Sequence, residues 1–116
     1  MTTAYQTHSR EQIDGILQRM GFSSYLKGYR FLADAIYEVT YDRTAIYNIS
    51  RIYEKLSAKY QVSVSGIERS IRTVILRAWS DYGDRISDFI SVPLRTRPTI
   101  KQIVAAVSNG INMMIA

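Results

Sequence analysis

Residues 44–60 read TAIYNISRIYEKLSAKY, residues 61–64 read QVSV, and residues 65–80 read SGIERSIRTVILRAWS. The pattern predicts two helices joined by a tight turn, with the second presented outward. Ile67, Ile71, Val74, Ile75 and Ala78 fall at i, i+4, i+7, i+8 and i+11, one apolar stripe at helical period. Ser65, Arg69, Arg72, Thr73 and Leu76 project from the opposite side, with Gly66 and Glu68 on its flanks. A helix with a sticky back and an Arg/Glu/Ser/Thr front is what a helix-turn-helix needs as its recognition helix. Arg forks suit guanine edges and phosphates, and Glu can accept from cytosine N4. The amphipathic pattern alone is equally that of a solvated helix face.

Charge separates the two readings. The segment 43–80 holds seven bases (Arg43, Arg51, Lys55, Lys59, Arg69, Arg72, Arg77) and two acids (Glu54, Glu68), a net +5. The rest of the chain holds eight bases and eight acids, so the whole excess of the protein sits in the two-helix unit. Such a localised excess is the electrostatic footprint of a polyanion binder. Lys55, Lys59 and Arg51 fall on or near the solvent side of the first helix, where they could meet a DNA backbone.

At 116 residues the chain is long enough for one domain with a single hydrophobic core. An apolar content of 47% with 22% charged residues is ordinary for a folded globular protein. No apolar run approaches the roughly 20 residues of a membrane span, and the polar first twenty residues show no secretory signal. Without cysteine there is no disulfide, thiolate metal site or cysteine nucleophile. A bacterial cytoplasmic, nucleoid-associated location is the expectation.

Residues 1–8 carry no pattern and read as a flexible N-terminal arm, leaving 9–116 as a single helical domain with the helix-turn-helix at 44–80. Ser9 and Gln12 look like a capping box, opening a helix with Ile13, Ile16, Leu17 and Met20 on one face and Gly21 as its C′ stop. A second helix spans about 23–40, with Leu26, Tyr29, Leu32, Ala33, Ile36 and Tyr37 inward and Asp34 and Glu38 outward. In the third, 44–60, Ile49, Ile52, Tyr53 and Leu56 face inward; Ser63 or Ser65 can cap the fourth, 65–80. A short helix from about Asp84 to Ile90 is pinned by Ile86, Phe89 and Ile90. An irregular connector, 91–98, carries two prolines and the Arg95/Arg97 pair. Thr99 then caps a last helix with Ile100, Ile103, Val104, Val107 and Ile111 at helical spacing. The expected fold is all-α, with about six helices.

Four blocks in order resemble the C-terminal DNA-binding effector domain of the master sporulation response regulator of endospore-forming bacteria, over roughly residues 13–111. LKGYRFLADAI at 26–36 is similar to the family's I-K-G-Y-x-x-L-x-x-A-I, and 53–60 to its Y-x-x-[IL]-A-x-K-Y. IERSIR at 67–72, with Ala78, Trp79 and Ser80, resembles its V-E-R-x-I-R…A-W-S. Arg97, Pro98 and Thr99 resemble the K-P-T that opens its last helix. The resemblance implies an all-helical domain that binds TGTCGAA-type boxes in duplex DNA, often as tandem dimers, without a cofactor. By matching position, Glu68, Arg69 and Arg72 would read bases or adjacent phosphates, Ser65 and Thr73 would flank them, and Lys59 with the turn residues would hold the backbone. Gly66 and Thr73 depart from basic or imidazole positions of the family. The family's sigma-subunit contact maps near 84–91, making Asp84, Arg85 and Asp88 the candidates here, although the segment 79–98 is a few residues shorter than usual. The family's receiver domain has no counterpart in this sequence, which is then either an effector fragment or a free-standing relative; for the second, the expectation is box binding without phosphorylation control, acting more as repressor or competitor. Any homodimer on DNA would then form through the last helix and the tail 111–116.

Two rivals remain at this level. Nine tyrosines invite a Tyr-nucleophile strand-transferase, but Tyr29, Tyr37 and Tyr53 sit on apolar faces where ring packing explains them. The single histidine, His8, lies in the arm, and no paired carboxylates or Gly-rich phosphate loop appear, so no catalytic or metal site is expected. The second rival is a protein-binding antagonist of a sigma factor or regulator that never touches DNA.

Overall fold

The computed structural model describes residues 4–90 and 95–115, and the side chains of 9–90 and 95–113. The parts of the expected arm, connector and tail beyond these bounds lie outside the described residues. The fold is all-helical, with α1 (Ala4–Arg19), α2 (Lys27–Tyr41), a 3-10 helix (Arg43–Asn48), α3 (Ile49–Tyr60), α4 (Val64–Ile90) and α5 (Ile100–Ile115). No described helix is long and apolar enough to cross a membrane. The expected fourth and fifth helices are one run, broken in direction at Tyr82, whose φ of −141° and ψ of 36° leave the helical region. The Tyr82 ring lies directly over the backbone of Gly21, which ends α1 with φ of 93°. The amides of Phe22 and Gly21 bond back to the carbonyls of Leu17 and Gln18 at 3.0 and 3.1 Å, the Schellman closure that a C′ glycine permits.

α2 is the central element, packed against α1, α3, α4 and α5. Its position explains why the outward assignment of Asp34 fails. The fold buries Phe31, Leu32, Ala35, Ile36 and Val39, too wide an arc to leave a solvent face in mid-helix. Asp34 is 4% exposed. Its carboxylate is satisfied three ways: by Arg10 Nη1 at 2.7 Å, Lys59 Nζ at 3.2 Å and the Tyr60 hydroxyl at 2.5 Å. One buried acid therefore ties α1 and α3 to α2. Four residues on, Glu38 takes Lys55 at 3.0 Å.

Burial alone would raise the Asp34 carboxyl, but hydrogen bonds from Tyr60 and Arg10, the Arg10 charge and the Lys59 bond together hold it below the ordinary carboxylate value of 3.8. A lowered folded-state pKa stabilises fully above the unfolded value, and that contribution is lost as the pH falls through the folded one. Acid unfolding followed by circular dichroism should thus steepen below about pH 4, and Asp34→Asn should remove that part of the pH dependence.

The capping box at Ser9 and Gln12 is not formed. α1 starts at Ala4, so Ser9 lies inside the helix, fully buried, with the Tyr41 hydroxyl donating to it at 3.3 Å. A small polar residue at a helix–helix contact has the same local sequence signature as a cap; only the neighbour Tyr41, 32 positions away, distinguishes them. The reciprocal cap occurs instead at α5. The Thr99 amide donates to Gln102 Oε1 at 2.8 Å, and the Gln102 amide donates to Thr99 Oγ1 at 3.1 Å. Behind that cap Ile100, Ile103, Val104, Val107 and Ile111 are all buried, as their spacing predicts. The second helix starts later than expected, at Lys27, and the third is divided. Asp42 Oδ1 accepts from the Thr44 amide at 3.1 Å and caps the 3-10 turn, and the backbone of Asn48 (φ −138°, ψ 61°) separates it from α3.

Candidate nucleic-acid interface

The turn between α3 and α4 is built from local polar contacts. Gln61 ends α3 in the left-handed conformation (φ 56°, ψ 44°), and its side chain bonds the Ala58 carbonyl at 2.8 Å. Ser63 Oγ then accepts from the Gly66 amide at 3.0 Å, and the Ser63 carbonyl accepts from Ile67 at 2.9 Å. Of the two candidate caps, Ser63 is the one used. Between them these bonds fix the direction in which α4 leaves the turn.

The back of α4 is locked by burial. Ile67, Ile71, Val74, Ile75 and Ala78 are each at most 1% exposed. On one flank, α2 approaches at Gly28 so closely that a Cβ there would lie 2.0 Å from the Ser70 carbonyl oxygen. Ser65, Arg69, Arg72, Thr73 and Leu76 are exposed at the front, as the periodicity predicts. Arg72 pairs with half-buried Glu68 one turn earlier, which biases the guanidinium to lie along the helix. The Thr73 hydroxyl is turned back onto the Arg69 carbonyl at 3.0 Å. A Cβ at Gly66 would meet Val62 Cγ1 at 2.9 Å and Ser63 Oγ at 3.0 Å, so the tight turn disfavours a larger side chain there. Tyr53 supports the pair from below. Burial first, and the Glu68 charge second, push its phenol up to about 12.

The six α4 residues proposed from sequence therefore share one region of surface. The α3 cations stand elsewhere. Lys55 and Lys59 form a ladder with Glu38 and Asp34 along the α2–α3 seam; Arg51 is exposed. For Lys59, burial would lower the ammonium, but the Asp34 bond and charge outweigh it and raise it. A phosphate at either lysine would share it with an existing carboxylate partner. Asp84, Arg85 and Asp88 are exposed beyond the Tyr82 kink, roughly 20 Å along α4 from Arg69. The Arg85 guanidinium stacks 4.4 Å over the Tyr82 ring. Asp84 and Arg85 line a groove that reaches back to Leu76 at the far end of the α4 front.

One neighbourhood of the α4 front comes from the other end of the chain. Arg97 and Lys101, at the entrance of α5, line a hollow of about 340 Å³ together with Arg72, Glu68 and Tyr53. The available signal was the exposed Arg97 immediately before a proline and a capped helix.

The family described as sporulation initiation factor Spo0A C terminal matches residues 13–111. The chain belongs to that family, whose members are DNA-binding effector domains of a sporulation regulator and not enzymes.

Proposed function

Starting from that membership, we propose that the chain regulates transcription by sequence-specific binding of duplex DNA, with residues 65–80 of α4 in the major groove. The observation that carries the reading is the exposed front of α4, where Arg69 and the Glu68–Arg72 pair stand on a helix immobilised by a buried stripe and a capped turn. Guanidinium forks can address guanine O6 and N7, and Glu68 can accept from cytosine N4. Ser65, Gly66 and Thr73 border this contact. Boxes of the TGTCGAA type are the family's expected target, and Arg51, Lys55 and Lys59 supply backbone charge. Asp84, Arg85 and Asp88, exposed beyond the Tyr82 kink, are proposed for the polymerase sigma subunit; a second copy on tandem boxes would be a further partner. Footprinting on genomic DNA tests the function: protected sites should share a common box, and protection without any shared sequence would remove base readout.

The backbone role of α3 has its own test. Lys59→Ala should weaken binding to cognate and scrambled duplexes alike and reduce the slope of log affinity against log salt by about one unit. A loss confined to the cognate box would instead place Lys59 at a base edge.

A further inference from the structure

We propose that the entrance of α5, through Arg97 and Lys101, is a second phosphate-binding wall that grips one DNA strand beside the recognition helix. The inference rests on the major-groove reading of α4 and extends it to a part of the chain outside the helix-turn-helix. Arg97 and Lys101 are exposed and share the hollow with Arg72 of α4. The ionisable groups lining that hollow, apart from the buried phenol of Tyr53, are three cations and one carboxylate, Glu68, which already pairs with Arg72.

The wall is rigid. Pro98 is buried, Ile100 is 8% exposed, and Thr99 and Gln102 cap the helix reciprocally at 2.8 and 3.1 Å. The two cations thus project from a backbone fixed by Pro98 and the α5 cap, so binding has to order only their side chains. The first turn of α5 adds its partial positive charge at the same corner.

Groove dimensions supply the ligand. A helix with side chains is about 10–12 Å across, and the major groove is about 12 Å wide. A helix filling it has a phosphate backbone along each flank. The flank of α4 that carries Arg72 is the one facing Arg97 and Lys101, so those cations meet the strand that borders Arg72. The opposite flank is occupied by the N-terminus of α2 at Gly28. The ligand is the sugar-phosphate backbone of a duplex; a small phosphate anion offers the same chemistry.

Arg97→Ala and Lys101→Ala should each weaken binding to a TGTCGAA duplex and to a scrambled duplex equally, about fivefold near physiological salt, and each should lower the salt slope by about one unit. Box preference should be unchanged, and circular dichroism should show the fold intact because both side chains are exposed. Lys101→Glu should weaken binding further. Inorganic phosphate at matched ionic strength should not displace the duplex; displacement that vanishes in Arg97→Ala would make the corner a small-anion site and overturn the proposal. Wild-type affinity and salt slope in all three variants would also overturn it, while loss of binding in Arg69→Ala under the same conditions would leave the α4 reading standing. Failure of the wild-type protein to bind any duplex would remove both.

Discussion

Gly28→Ala should destabilise the protein by about 3 kcal/mol, at the upper end of overpacking costs, and should also weaken DNA binding. The added Cβ would stand 2.0 Å from the Ser70 carbonyl oxygen, 2.4 Å from its carbon and 2.8 Å from Val74 Cγ2. Two of those atoms are backbone of a hydrogen-bonded helix and cannot rotate away. Relief requires α2 to withdraw from α4 by an ångström or more, across the seam that buries Leu32, Ile71 and Val74. The same movement shifts the support of the recognition helix. Gly15 is the internal control, since nothing lies within 4 Å of a Cβ placed there. Gly15→Ala, inside α1, should be neutral or stabilising by up to about 1 kcal/mol through helix propensity. Urea unfolding of the two variants checks both signs, and an unchanged midpoint for Gly28→Ala would contradict the close α2–α4 approach.

Arg72→Ala and Arg69→Ala should each cost about 1–3 kcal/mol on a cognate duplex without loss of helical signal. Arg72 should be the costlier of the two. Its removal takes from Glu68 its ion-pair partner on a face presented to phosphates, so repulsion adds to the lost contact. Glu68→Ala should do the reverse for general affinity, tightening binding to scrambled duplexes while reducing discrimination at one position of the box. Titration of labelled duplexes, cognate and scrambled, measures all three. Wild-type affinity in both arginine variants would take this helix out of the interface.

The elements that could be read in advance are those whose determinants are local. The stripe from Ile67 to Ala78, the spacing of Ile103, Val104, Val107 and Ile111, the Gly21 stop and the Thr99 cap each involve residues within a few positions of one another, and all four form as their patterns predict. Asp34 was misread because its fate depends on Arg10 and Tyr60, 24 and 26 positions distant. A polar residue in an amphipathic pattern is assigned to water unless its partners are known, and α2, enclosed by four other helices, leaves no water at that point. Ser9 follows the same logic through Tyr41. Gly28 is invisible for another reason: a close helix crossing writes only one small residue into each strand of text, and Ser70 is unremarkable there. At the candidate site, the front of α4 was legible because helical period alone orients it. The engagement of Lys55 and Lys59 by α2 was not, nor the approach of Arg97 and Lys101 to Arg72, since both arise from packing between helices far apart in sequence.

The most direct test of α4 as the DNA-reading element is a map of backbone amide chemical shifts as a TGTCGAA duplex is added to the labelled protein. The largest changes are expected at Ser65, Gly66, Glu68, Arg69, Arg72 and Thr73, with a second group at Arg97 and Lys101, and they should shrink with a scrambled box. Changes confined to the surface beyond Tyr82 around Asp84, Arg85 and Asp88, with the front of α4 unmoved, would contradict it.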